Sequence, residues 1–247
     1  VSDHPLTPSA RDLRFFLTVP HVCSYLKDRE ATTLFLDPHE LPSDEVYSAL
    51  TLLGFRRSGG HLYRPHCGDC RACISVRIPV EDFKPNRTQR RILRRNSDLE
   101  VIEKPAVFDE EHYALYSRYI NQRHRNGDMY PPSQEQYQAF LTSNEGYTRL
   151  IEFRLEGELI IVAAVDTLSH GLSAIYTFFD PDERWQTRSL GSYAILWQIE
   201  HARIHDLPYV YLGYWIRTCQ KMRYKQNFQP LEYLDGRLWR RAMPEHA

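Results

Sequence analysis

Three cysteines recur at every third position in Cys67-Gly-Asp-Cys70-Arg-Ala-Cys73, with His66 beside them and Cys23 upstream. Thiolates at this spacing bind zinc or an iron–sulfur cluster. Three ligands on one short loop lose little entropy in converging, and Cys23 as a fourth would complete a four-coordinate site. The same residues also read as reduced thiols with no metal, as in a protein kept out of oxidising compartments. Cys219 stands apart and reads as a packed or site-lining thiol.

A second concentration of chemistry is Lys84-Pro-Asn-Arg87-Thr-Gln-Arg90-Arg91-Ile-Leu-Arg94-Arg95. Pro85 and Asn86 suit a helix start, and the i, i+3 and i, i+4 relations put several cations on one side. Guanidinium forks match phosphate oxygens, so this stretch predicts contact with RNA; a solvated helix face is the plainer alternative. A third is Arg188-Ser-Leu-Gly191-Ser-Tyr193. Backbone N–H groups at a helix start bind anions, and glycine lets a phosphate approach. In acetyl-CoA-dependent acyltransferases the last position of this turn is small. Here Tyr193 is expected to crowd a pyrophosphate, which disfavours a CoA donor. The plainer reading is a helix capped by Ser189, with Gly191 packed closely on a strand.

These groups must be held by something. With 247 residues, 42% apolar and a net charge of −1, the chain fits one large domain or two small ones. A global charge near zero neither requires nor excludes a nucleic-acid partner. There is no run of about 18 apolar residues to span a membrane. The start has no basic head or apolar signal core, so a cytoplasmic protein is expected.

Residues 1–100 read as an irregular, cysteine-bearing and basic domain, and residues 101–247 as a more regular one. In the first, Ser43 caps a helix that stops before Gly54, a hairpin turns at Ser58-Gly59-Gly60, and residues 74–80 alternate as a strand. In the second, residues 108–123 read as a helix. Ser133 and Gln136 open a short one after Pro131-Pro132. Three strands (147–155, 159–166, 172–179) form a meander. A helix over 190–205, a strand over 209–213 and a hairpin at Asp235-Gly236 follow. Helices, meander, helix and strand in this order predict an α/β (α+β) fold, a mixed sheet flanked by helices of the GCN5-related N-acetyltransferase type. Fold alone does not set function.

Several motifs carry a closer likeness: His21-x-Cys23-x-Tyr25-Leu26, Gly54-Phe-Arg56-Arg57-Ser-Gly59, Tyr63-Arg-Pro-His66-Cys67, Phe83-Lys84-Pro-Asn86-Arg87 and Asp128-Met-Tyr130. To these add Tyr176-Thr-Phe-Phe-Asp180-Pro181, Ser189-Leu-Gly191, Tyr211-Leu-Gly213-Tyr214-Trp215-Ile216 and Cys219-x-Lys221-Met-x-Tyr224-Lys225. Together they resemble the aminoacyl-tRNA–protein transferases over nearly the whole chain, most closely the bacterial branch that transfers leucine to Asp or Glu. Eukaryotic relatives transfer arginine, are generally longer, and carry a second cysteine where this chain has Leu26. Their metal ligands therefore do not transfer residue for residue.

The resemblance implies leucyl-tRNA as donor, proteins beginning with Asp or Glu as acceptors, and a product marked for degradation by its new N-terminal leucine. Such a donor is already an activated ester, so the chemistry requires no cofactor. The site must hold ester and amine together, take a proton from an α-ammonium and stabilise the oxyanion. Asp166, Tyr176, Tyr211 and Lys221 are the candidate catalytic groups. Lys84, Arg87, Arg90, Arg91, Arg94, Arg95 and Lys225 are candidates for tRNA. Arg56, Arg77, Tyr214, Trp215 and Arg223 are candidates for the acceptor or aminoacyl pocket. Arginyl transfer, CoA-dependent N-acylation and a non-enzymatic metal-dependent RNA-binding module are the rival readings.

Overall fold

The structure, a computed structural model, describes residues 13–40, 42–142 and 146–244. In chain order the first elements are β1 (Phe15–Leu17), β2 (His21–Val22), β3 (Glu30–Ala31), β4 (Thr33–Leu36), α1 (Asp44–Leu52), β5 (Arg56–Ser58), β6 (His61–Pro65) and β7 (Ile74–Pro79). Next come α2 (Arg87–Arg95), β8 (Glu100–Pro105), α3 (Glu110–Arg123), α4 (Gln134–Tyr137), β9 (Thr148–Leu155), β10 (Glu158–Leu168) and β11 (Gly171–Phe179). The last are α5 (Leu190–Ile204), β12 (Tyr209–Trp215), β13 (Glu232–Asp235) and β14 (Leu238–Arg240). Short 3-10 helices occupy Glu183–Arg188 and Gln220–Asn227.

An eight-stranded mixed sheet, ordered β14-β13-β7-β12-β11-β10-β9-β8, forms the centre. A four-stranded sheet, β1-β4-β6-β5, packs beside it. The chain thus has the mixed, helix-flanked α/β sheet that its element order predicts. β7, from before residue 100, lies inside the large sheet between β12 and β13.

β10 explains how the sheet is covered on both faces. Residues 159–165 of this strand are all buried. Ile161, Ala163 and Val165 point into a core shared with α5 and Ile92 of α2, while Val162 and Ala164 point into one built by Leu115, Tyr116 and Ile120 of α3. A strand buried on both faces reads as a continuous apolar run rather than an alternating one.

The small sheet is joined to the large one by a buried polar network. Asp166 of β10 is fully buried and accepts from Arg57 Nε (2.6 Å) and Nη2 (2.8 Å), Tyr47 Oη (2.7 Å) and Thr148 Oγ1 (2.8 Å). Arg57 Nη1 also donates to Gly59 O at 2.9 Å. Burial opposes the Arg57 charge, but the Asp166 carboxylate more than offsets this and raises the guanidinium pKa. Burial also pushes the Tyr47 phenol well up, with Asp166 adding to it. Removing one member of such a pair strands the other charge. Asp166→Ala should therefore lower unfolding free energy by about 3–5 kcal/mol in urea titrations. Asp166→Ala combined with Arg57→Met should cost clearly less than the sum of the two single changes.

Candidate active site

Among the described residues the only parallel pair in the large sheet is brief. β11 and β12 are in register at Gly171–Tyr209, Leu172–Val210 and Ser173–Tyr211, and then separate. Two irregularities accompany the separation. Ile175 is an extra residue in β11 against β10, and Leu212 is an extra residue in β12 against β7. Bulges of this kind bend and twist a strand locally. Beyond the fork, β11 keeps β10 as its partner and β12 keeps β7, so both strands remain in the sheet while a gap opens between them.

A cavity of about 910 Å³ fills this gap. Its walls are residues 174–177 of β11 and 212–214 of β12. The C-terminal end of α3, the 3-10 helix Glu183–Arg188, the first turn of α5 and the 3-10 helix Gln220–Asn227 close around it.

One side of the cavity is cationic. Arg56, only 8% exposed, reaches from β5 into the fork. Its Nη1 donates to Ser173 Oγ at 2.7 Å and its Nη2 to Ala174 O at 2.6 Å, just where β11 leaves β12. The guanidinium lies flat on Gly213. A Cβ there would sit 3.0 Å from Arg56 Nε and 3.2 Å from Nη2, and the φ of +79° suits glycine. Lys225, 6% exposed, donates its Nζ to Tyr214 O. Burial, reinforced by the Arg56 charge and opposed by Cys219, brings its pKa down to about 7. The Tyr224 ring lies 5.9 Å from its Nζ. Among the described residues neither Arg56 nor Lys225 has a carboxylate partner, whereas buried Arg57 and Arg77 pair with Asp166 and Glu232.

The other side is aromatic and acidic. Tyr119, Tyr176 and Phe179 line it, with Tyr119 and Phe179 centroids 4.9 Å apart. Burial raises the phenol pKa of both tyrosines, that of Tyr119 to about 12, so they stay protonated as donors. Asp180, Asp182 and Glu183 form the rim. Arg118 and Arg184 approach Asp180 Oδ2 at 3.7 and 3.8 Å.

The turn before α5 differs from expectation. Ser189 has a left-handed φ of +54° and makes no side-chain cap. Gly191 does pack on a strand, since a Cβ would lie 3.3 Å from Phe179 Cε1. Tyr193, expected to crowd a phosphate, is buried with its ring edge-on to Phe153 at 5.5 Å. It turns into the core because the helix carries it away from the cavity, so it is no bar to an anion there.

Helix α2 carries the basic stretch. Asn86 and Gln89 form a reciprocal capping box, and Arg94 and Arg95 sit in the last turn, where the helix dipole favours cations. Lys84, Arg87, Arg90, Arg91, Arg94 and Arg95 are all exposed, and among the described residues none of them pairs with a carboxylate. The helix is tied to both 3-10 segments that line the cavity. Arg95 Nη1 donates to Thr187 O (2.7 Å), Asn96 Nδ2 to Arg188 O (2.9 Å) and Gln89 Nε2 to Asn227 O (2.8 Å).

Of the other residues singled out in the sequence, Tyr176 and Tyr214 line the cavity and Lys221 stands exposed at its rim. Lys225 is buried in the cavity wall rather than displayed for a tRNA backbone. Asp166 is saturated by its four donors outside the cavity lining. Tyr211 is buried between Arg77 Nη1 (3.2 Å) and His170 Nδ1 (2.9 Å). Arg77 itself is held by Glu232 and stacked over Tyr209. Trp215 is a core residue against Tyr233, and Arg223 is exposed away from the cavity lining.

Cys23, Cys67, Cys70, Cys73 and Cys219 are free thiols. Burial first, then the other four thiols, pushes Cys73 up to about 12, so Cys219 belongs with the group from which its sequence position separates it. Among the described residues no three of His, Cys, Asp and Glu are arranged to hold a metal ion. Tyr25, Tyr63, Tyr119, Arg123, His124 and Trp185 line the cavity without having been singled out as site residues. Tyr25 and Tyr63 do fall in the motifs that carry the resemblance, which was the available signal.

Two family models match the chain: the N terminus of arginine-tRNA-protein transferase over residues 21–91 and the C terminus over residues 111–235. The aspartate/glutamate leucyltransferase of Chromohalobacter salexigens is 71% identical over 240 residues, covering 96% of this chain and 97% of that protein. The protein of the same name from Pseudomonas aeruginosa is 55% identical, covering 95% and 98%. That from Alcanivorax borkumensis is 57% identical, covering 92% and 93%. A crystal structure of FemX aligns with a TM-score of 0.52 and 8% identity over 91% of this chain and 86% of that one, a likeness of fold. With family models on both halves and relatives of this identity over nearly its full length, the chain belongs to the arginine-tRNA-protein transferase family.

Proposed function

We propose that this chain transfers leucine from leucyl-tRNA to the α-amine of proteins whose first residue is Asp or Glu. The names of its full-length relatives support donor and acceptor. The observation that carries the reading is spatial: an exposed, unneutralised basic helix is hydrogen-bonded to two segments lining a cavity in a splayed sheet. Phosphates of the acceptor arm dock on α2, and the 3′ adenosine with its leucyl ester enters the cavity.

The reaction needs positioning more than activation. The amine nitrogen attacks the ester carbonyl, the bond to the ribose oxygen breaks, and that oxygen leaves with a proton. Holding both reactants can supply roughly 7–11 kcal/mol as effective concentration. The acceptor arrives as an ammonium of pKa about 8, so its proton must first be removed. Lys225, neutral above about pH 7 and facing the cavity, is the proton acceptor in this scheme. The tyrosines of the aromatic side enclose the leucyl group and donate to oxygen. Supply of charged tRNA places the protein in the cytoplasm, and the added leucine marks the product for degradation.

Purified protein with radiolabelled leucyl-tRNA should label peptides beginning with Asp or Glu and not those beginning with Arg; labelling from arginyl-tRNA alone would overturn the choice of donor. Changing Arg91 and Arg94 together to Gln should weaken leucyl-tRNA binding and reduce its salt dependence, by a slope of roughly 0.7–0.9 per lost phosphate contact. Turnover of bound leucyl-tRNA should be unchanged.

Lys225→Met should lower turnover by roughly 10²–10⁴-fold, in the range for loss of a general base. The wild-type rate should rise through two ionisations, one near pH 7, and that of the variant only through the peptide amine. The effect on stability has the opposite sign. Between about pH 7 and the ordinary lysine value of 10.5 the unfolded chain binds a proton that the folded one does not. Wild-type stability should therefore rise with pH across that window, whereas the variant, equally or more stable at neutral pH, should lack this slope. Thermal melts at a series of pH values measure it.

A further inference from the structure

Among the described residues three arginines are buried, and they are not equivalent. Arg57 and Arg77 are neutralised by carboxylates, whereas Arg56 has only the neutral oxygens of Ser173 and Ala174. Lys225 lies close enough for the Arg56 charge to favour its neutral amine, and its Nζ has only a carbonyl partner. Burying a cation without counter-charge is costly, and the cost falls only when an anion joins it. The arrangement is also fixed. Two hydrogen bonds set the guanidinium plane, and Gly213 leaves room for it to lie flat on β12.

We propose that Arg56 is the subsite that reads the side-chain carboxylate of the acceptor's first residue. The proposal rests on the transfer reaction given above and names the residue that selects its acceptor. A guanidinium matches a carboxylate with two parallel N–H bonds. The depth of the site favours this anion over a tRNA phosphate. A carboxylate ends a single stem and can enter the strand fork. A phosphodiester is substituted on two sides, and exposed cations for it stand on α2. An Asn or Gln amide would turn N–H donors toward a site already made of donors, so the neutral analogues are rejected. The aromatic side remains for the leucyl group, and the acceptor's α-amine then lies toward Lys225.

The test compares otherwise identical peptides beginning with Asp, Glu, Asn and Gln. Transfer kinetics would be read together with calorimetric binding of each peptide to the protein without tRNA. The wild type should prefer Asp over Asn by at least about 10²-fold in kcat/KM, as a site with paired buried charges does. Arg56→Gln should remove most of that preference by lowering the Asp value while leaving the Asn value within about threefold, with leucyl-tRNA binding unchanged. Arg56→Lys, which keeps the charge and loses the fork, should fall between the two. This second variant keeps the test open if Arg56→Gln does not fold, as judged by its melt.

An equal loss for acidic and amide peptides in the folded variants would overturn the proposal and leave Arg56 as a tie between strands. Wild-type binding without preference for Asp over Asn would overturn it as well. Preferential binding of acidic peptides that is lost in Arg56→Gln, without transfer from any charged tRNA, would support the subsite while sinking the functional reading.

Discussion

The ion pair between Arg57 and Asp166 is the interaction on which the geometry of the site depends. It fastens β5 of the small sheet to β10 of the large one with a carboxylate that is fully satisfied by four donors. Successive side chains on a strand point to opposite sides. Fixing Arg57 against β10 therefore sends Arg56 the other way, into the fork beside Ser173. A buried ion pair is a weak source of stability compared with apolar packing, but it is demanding about position. Here the position is what matters, because the neighbouring cation has to meet a gap a few atoms wide.

That gap exists because β12 has another partner. A strand leaving its neighbour in mid-sheet would normally expose a row of backbone donors and acceptors. β7 holds β12 in the sheet by its other edge through Trp215, well past the point where β11 has gone, while in the gap Tyr214 O accepts from Lys225 and Ala174 O from Arg56. β13 pairs in turn with β7 and moves the sheet edge further away. The N-terminal part of the chain thus contributes both the strand that permits the fork and the arginine that occupies it. The basic helix follows β7 directly and is tied to the cavity lining, so one run of sequence from residue 54 to residue 96 supplies most of the polar framework.

Much of this was legible from local signals. Ser43 and Asn86 mark the starts of α1 and α2, and the three apolar runs before α5 are the meander. These features are decided by residues within a few positions of one another. The short strands β1 to β4 and the edge strand β8 carry no such pattern; they are two to six residues long and only partly buried. The site was half legible for the same reason. Asp166, Tyr211, Arg77 and Trp215 have the chemistry of a site. Their partners, however, are set by pairings more than 40 residues away, or in Trp215 by packing. Nor does composition reveal which of two adjacent arginines finds a carboxylate, since Asp166 lies 109 positions from Arg57. Lys225 sits among polar neighbours in sequence and is nonetheless buried, because the 3-10 helix that carries it folds back onto β12.

Two arginines in succession face opposite sides of their strand, so the alignment of β5 decides which one meets Asp166. If β5 slipped by one position, an arginine would still reach one of the two places, but Phe55 or Ser58 would stand in the other. Side-chain identity therefore favours the observed alignment, and the hairpin tip is placed to reinforce it. Gly59 turns there with a φ of +56°. A Cβ on it would come within 2.6 Å of the Ala139 carbonyl oxygen, so the tip is seated against the backbone of residues 139 and 140. The loop acts as a vernier stop that reinforces the alignment in which Arg57 meets Asp166 and Arg56 faces the cavity.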